Sequence, residues 1–142
     1  MNCRKPYPIG HPLILTEGFG ATDSVHFRYR GLIKCSVLPP DRLLHPLLGA
    51  KINGKLVFAL CPICAENMLQ VSCPHADEER LIVGVWTTFE LSKAVSLGYT
   101  ITEVDEIWHW GEWSENLFAP YIKNFFKVKE EVSAFFPTIY EY

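Results

Sequence analysis

The spacing of hydrophobic positions changes several times along the chain, and each change marks an expected element. Residues 1–12 hold Pro6, Pro8, Gly10 and Pro12, too many breakers for a long helix or a central strand. Leu13-Ile14-Leu15-Thr16 reads as a short strand, and residues 17–24 as a loop marked by Gly18 and Gly20. Residues 27–38 read as a strand of β-formers stopped by Pro39-Pro40. Residues 43–52 and 55–60 flank Asn53-Gly54, the dipeptide favoured where a two-residue hairpin turn needs positive φ twice. Pro46 makes part of the first arm an edge or a bulge.

Residues 61–79 show neither period. Residues 81–86 return as an apolar strand. Thr87 or Thr88 then caps a helix that runs to about residue 97, with Glu90 in its first turn and Gly98 just past its end. Residues 99–110 read as a strand whose alternation is broken by Glu103, Asp105 and Glu106. In the last helix, residues 117–134, Leu117, Tyr121, Phe125, Val128 and Val132 form one apolar stripe. Lys123, Lys127 and Glu131 lie on another face, and Pro120 must fall in or beside the first turn. The sum is an antiparallel α+β unit.

Composition narrows this little. The 142 residues are 49% hydrophobic and 20% charged, an ordinary globular balance for a single domain. The net charge of −3 gives no support to nucleic-acid binding, so such contact needs a local patch. No apolar run approaches the ~20 residues that span a membrane, and the first residues lack a signal-peptide core. Five cysteines, two of them in a close CxxC, do not suit a secreted disulfide scaffold. These features point to an intracellular protein without a membrane partner.

The sharpest candidate chemistry is Cys61-x-x-Cys64 followed by Cys73-x-His75, within a candidate zinc-binding loop at residues 61–80. A CxxC loop presents two thiolates to one Zn²⁺, and Cys-x-His supplies two more ligands. Four protein ligands would make the site structural, in a segment with no apolar core of its own. The rival reading makes Cys61 and Cys64 small buried hydrophobes and His75 a surface residue. Asp77-Glu78-Glu79-Arg80 could offer carboxylates to Mg²⁺, but reads better as a solvated acidic segment or a helix start. Glu103, Asp105 and Glu106 beside His109 have no fixed partner; alternation puts Glu103 and Asp105 on one strand face and Glu106 on the other. Arg28, Arg30 and Lys34 interleave with Phe27 and Tyr29, a pattern that suits either a nucleic-acid contact or a half-exposed strand with ordinary charges. No phosphate loop, dinucleotide fingerprint or nucleophile elbow occurs, so motifs alone give no catalytic residue.

Taken in order, eight phrases carry a resemblance: YPIGHPLILTEGF (7–19), GLIKCSVLPP (31–40), HPLL (45–48), GKLVFALCPICAE (54–66), CPHADEER (73–80), GVWTTFELSKAVSLGY (84–99), EVDEIWHW (103–110) and LFAPYIKNFFKVKEE (117–131). The series resembles protein-primed family B DNA polymerases of the organellar and viral type, in particular copies carried by invertebrate mobile elements. The resemblance implies a single partial domain over residues 1–142, lying between two polymerase motifs. Upstream in the family comes a palm motif DxxSLYP with a metal-binding Asp; downstream come a Lys-bearing motif ending NSxYG or NSxWG and a second metal-binding Asp. Transfer of deoxynucleotides with Mg²⁺ needs both Asp motifs, which hold two metals about 4 Å apart, so this stretch by itself is expected to be inactive. The implied fold is a small antiparallel sheet with two helices packed on it, part of the palm and its terminal-protein-region insertion. The implied partners are template-primer DNA, dNTP and a terminal protein primer. Three positions depart from the usual phrasing: Asp41, where a basic residue often follows Pro-Pro, Val85 and Pro120.

Overall fold

A computed structural model of the chain describes residues 6–19 and 28–135, with side chains described as far as residue 132. Phe27 and the later part of the 17–24 loop lie outside the described residues. Two compact units are present: His11–Gly111, and Met1–Gly10 with Glu112–Tyr142.

The His11–Gly111 unit is built on a four-stranded antiparallel sheet. Its strands are β2 (Leu13–Leu15), β3 (Gly31–Leu38), β6 (Ile82–Thr87) and β7 (Thr100–His109), in the order β2-β7-β3-β6. Between β3 and β6 the chain forms the hairpin β4 (Gly49–Ile52) and β5 (Lys55–Phe58) and the short helices α1 (Pro62–Glu66) and α2 (Asp77–Arg80). Helix α3 (Thr88–Ser96) connects β6 to β7. The expected α+β class and antiparallel sheet are observed.

Alternation along β3 sends Ile33, Cys35 and Val37 to one face, where all three are fully buried. They meet Ile82, Trp86, Ile101 and Ile107 from neighbouring strands, Leu91 and Ala94 from α3, and Leu48 and Tyr99 from the connections. Each large aliphatic side chain buried here contributes about 1.5–3 kcal/mol. The other face carries Lys34, Val83, Val85 and Trp108, all exposed.

Three local signals act as the sequence implies. Asn53 and Gly54 have φ of 50° and 79°, the doubly positive pair of a tight hairpin turn. Thr87 caps α3: Glu90 N donates to its Oγ1 at 3.2 Å, and Thr87 N donates to Glu90 Oε2 at 2.8 Å. Gly98 follows the helix with φ of 94°. The hairpin is tied to the sheet by Trp86 Nε1, which donates to Gly49 O at 3.0 Å, and by Leu47 N, which donates to Tyr99 Oη at 3.1 Å.

The structure corrects three details. β3 begins at Gly31, so Arg28 and Arg30 precede the strand. The first hairpin arm begins at Gly49, beyond Pro46, because a proline nitrogen cannot join the ladder. In β7 the register against β3 shifts twice, leaving Thr102 and Asp105 without a directly opposed residue. Glu103 lies opposite Ser36 and Glu106 opposite Lys34, two positions on the same face of β3. The bulge at Asp105 therefore brings Glu103 and Glu106 to one face, against the simple alternation of the sequence.

In the second unit, β1 (Tyr7–Pro8) pairs antiparallel with β8 (Trp113–Ser114), and the Tyr7 ring meets Phe118 edge-on at 4.9 Å. Helix α4 (Ala119–Phe135) follows, with Pro120 in its first turn, where the missing N–H costs little. Within the His11–Gly111 unit, α3 packs on the sheet through Leu91 and Ala94, as expected. Every large apolar residue of the α4 stripe is exposed.

Candidate metal centre

The loop between β5 and β6 folds around side chains rather than an apolar core. Among its residues 61–80, only Cys61 and Arg80 are buried. Cys61 caps α1 with its sulfur, which accepts from Cys64 N at 3.5 Å, and Pro62 occupies the first helical turn. One turn of helix thus places both CxxC sulfurs on one side. Met68, at φ of 51°, reverses the chain after α1, and Leu69 N donates to Cys64 O at 2.9 Å. The returning, irregular part of the loop delivers Cys73 and His75. Helix α2 then starts at once, held by Glu79 Oε2, which accepts from Ala76 N at 3.0 Å.

The result is a four-sided cage. His75 Nδ1 lies 3.4 Å from Cys61 Sγ, 3.3 Å from Cys64 Sγ and 3.5 Å from Cys73 Sγ. All four ligand atoms fall within 4.8 Å of one another. Bond lengths of about 2.3 Å to sulfur and 2.0–2.1 Å to nitrogen at a tetrahedral ion put N and S about 3.6 Å apart. The cage can hold a metal ion such as zinc. No second group of three or more His, Cys, Asp or Glu side chains comes together among the described residues.

Crowding spreads the thiol pKa values. A hydrogen bond from the His75 backbone, aided by the His75 ring and the other two cysteines, draws Cys73 down to about 7. Loss of hydration, then the neighbouring Cys73 and Cys61, push Cys64 up to about 12. A divalent cation placed between Cys64 and Cys73 favours the ionised form of both thiols. Cys35 is different in kind. Burial, with a smaller contribution from the Asp105 charge, pushes its thiol up to about 12, so it serves as a neutral packing residue.

Arg80 closes the loop and was not singled out by the sequence. Its buried guanidinium donates to Asp41 Oδ1, to Asp77 Oδ1 at 3.2 Å, and to the carbonyls of Pro39 and Pro40 at 3.0 and 2.9 Å. Pro39 and Pro40 end β3, so Arg80 fastens the end of the cysteine loop to the sheet. The departure at Asp41 is thereby explained, since a basic residue there would face the guanidinium. The acidic run at residues 77–79 forms the start of α2, as its helix-start reading implies.

The candidate nucleic-acid residues lie on β3 and just ahead of it. Arg28 and Arg30 are exposed ahead of β3, and the Arg30 guanidinium lies 5.9 Å from the centre of the Phe89 ring. Lys34, on β3, pairs with Asp105 at 3.7 Å. Beside it a shallow, mostly apolar groove is lined by Leu32, Lys34, Val85, Glu106 and Trp108. His109 is structural: its Nδ1 accepts from Arg30 N at 3.0 Å, and its ring meets Tyr29 edge-on.

The family described as DNA polymerase type B, organellar and viral, matches residues 2–134. The chain belongs to this family. The match spans both compact units and includes the cysteine loop. No curated protein and no solved structure matches the chain. The activity of the type B polymerase family is a nucleotidyl transfer, with DNA and nucleotides as its partners. Among the described residues, no helix is long and apolar enough to cross a membrane.

Proposed function

We propose that this chain is a non-catalytic segment of a protein-primed DNA polymerase, corresponding to the region between the first two palm motifs. The observation that carries the reading is the family match over residues 2–134, in a chain whose phrases keep the family order. Residues 1–142 act as one partial domain of the parent enzyme. Template-directed transfer of deoxynucleotides, to a 3′ or protein-primer hydroxyl, takes place on Mg²⁺ held by Asp motifs outside this stretch. The segment's part is to help hold DNA and the terminal protein beside the palm. Exposed Arg28 and Arg30 offer phosphate contacts, and Lys34 adds a third cation already balanced by Asp105. We further assign the parent to an intracellular, mobile-element-like copy.

The flanking genomic reading frame tests this. Translation should yield a DxxSLYP-like phrase before residue 1 and an NSxYG- or NSxWG-like phrase after residue 142. Neither phrase in frame would remove the polymerase-segment reading. The purified 142-residue chain should incorporate no dNTP on a primed template with Mg²⁺, and measurable incorporation would overturn its non-catalytic role. Arg28→Ala with Arg30→Ala should flatten the salt dependence of DNA binding by up to about two phosphate contacts. An unchanged slope would remove these residues from the DNA surface.

A second reading is favoured by the Cys/His cage. A zinc-stabilised module that binds protein or nucleic acid would need no polymerase motifs, and the same reading frame separates the two.

A further inference from the structure

We infer that Cys61, Cys64, Cys73 and His75 bind one Zn²⁺ as a closed structural centre, with His75 coordinating through Nδ1. Three independent features of the loop support this. The N···S separations of 3.3–3.5 Å match the edge of a tetrahedron around a single ion, and all three sulfurs face the same ring nitrogen. The Cys61 sulfur also accepts from Cys64 N, the backbone bond that holds a thiolate in place at the start of a CxxC turn. Third, the loop lacks the means to order itself by burial. Met68, Leu69 and Val71 are exposed, and only Cys61 and Arg80 are buried within residues 61–80.

The ligand set selects the metal. Three soft thiolates and an imidazole suit zinc, whereas Mg²⁺ and Ca²⁺ take oxygen ligands. Four protein ligands leave no open position for water or substrate, so the centre serves folding rather than catalysis. Its position says what it holds. Cys61 follows the β4–β5 hairpin, and Arg80, five residues after His75, is fastened to Pro39 and Pro40 at the end of β3. One ion therefore clips the hairpin's exit to the strand that re-enters the sheet. This centre stands whether or not the polymerase-segment reading does, because it rests on the cage alone.

The test uses the full 142-residue chain purified under reducing conditions without chelator. Elemental analysis should find one zinc per chain. After zinc is stripped, one equivalent of Co²⁺ should give the intense visible bands of a tetrahedral site and the near-ultraviolet charge-transfer band of thiolate ligands. Cys64→Ser and Cys73→Ser should each lower zinc content at least fivefold, while Cys35→Ser, remote from the cage, keeps one equivalent. Wild-type protein without zinc and without the Co²⁺ bands would overturn the inference, as would a Cys61–Cys64 disulfide found by mass spectrometry. One equivalent of zinc retained by the Cys61→Ser, Cys64→Ser double variant would overturn the ligand set.

Discussion

Helices α3 and α4 carry similar sequence signals and end in opposite environments. Both show an apolar stripe at helical spacing, and both contain Phe, Val and Lys. In α3 the stripe closes the sheet: Leu91 and Ala94 are 0% exposed. In α4 the stripe faces solvent: Phe125 is 62% exposed and Val128 57%. The difference teaches that amphipathic spacing states what a helix could bury, not what it does bury. What fixes α3 is a set of contacts from other elements, with Gly31 N donating to Thr88 Oγ1 at 3.4 Å and the β3 side chains beneath Leu91. Among the described residues, α4 shows contacts within the helix itself. The Tyr121 and Phe125 rings meet at 4.8 Å, tilted by 47°, and Lys127 and Glu131 pair at 3.9 Å, an exposed contact that contributes no more than a few tenths of a kcal/mol.

The largest effect should come from breaking the packed helix. Leu91→Ala removes a fully buried side chain from a core that cannot close over the gap, and should cost about 2–5 kcal/mol in denaturant unfolding. A loss below 1 kcal/mol would mean that α3 is not held by its packing. The C-terminal end comes next. Gly98 sits at φ of 94°, and a methyl group there meets only Pro40 at 3.5 Å, so the strain of the backbone dominates. Gly98→Ala should destabilise by about 1–2 kcal/mol, with the slope of the unfolding curve unchanged. At the N-terminal end, Thr87→Ala deletes the side-chain acceptor for Glu90 N and should cost about 1 kcal/mol. Thr87→Ser keeps that acceptor and should recover most of the loss; equal losses for the two variants would point to packing of the Thr methyl group instead of the cap.

These same features show how much of the molecule was legible in the sequence. The hairpin turn at Asn53-Gly54, the Thr87–Glu90 cap and the CxxC…CxH spacing are all local: the residues that act together lie within 15 positions of one another. The helical start at Asp77 was legible only as one of two readings of the acidic run. Arg80 was not, because its partners at Pro39, Pro40 and Asp41 lie 39 to 41 residues back in the chain. Nothing near Arg80 distinguishes a buried clamp from a solvated charge at the end of an acidic run. The bulge at Asp105 was hidden as well, since register is a property of two strands and only one is visible in a stretch of sequence. The start of β3 is not legible, because Tyr29 has strand propensity whereas pairing with β7 and β6 begins only at Gly31 and Leu32.

The smallest expected effect is also the sharpest check on the comparison. Phe125→Ser with Val128→Ser removes two large apolar side chains, at positions where the packed helix would lose several kcal/mol. In α4 both are more than half exposed. Transfer of apolar area from water contributes about 25 cal/mol per Å², and most of the area of these two residues has not been transferred. The substitutions also reduce helix propensity by only a few tenths of a kcal/mol per residue. Their combined cost in denaturant unfolding should therefore stay within about 1 kcal/mol, well under that of Leu91→Ala alone. The exposed apolar stripe should shrink at the same time, so the double variant should stay soluble to higher concentration than the parent chain. A loss of 2 kcal/mol or more would show that the stripe is covered in solution, and the contrast between the two helices would then be one of partner rather than of burial.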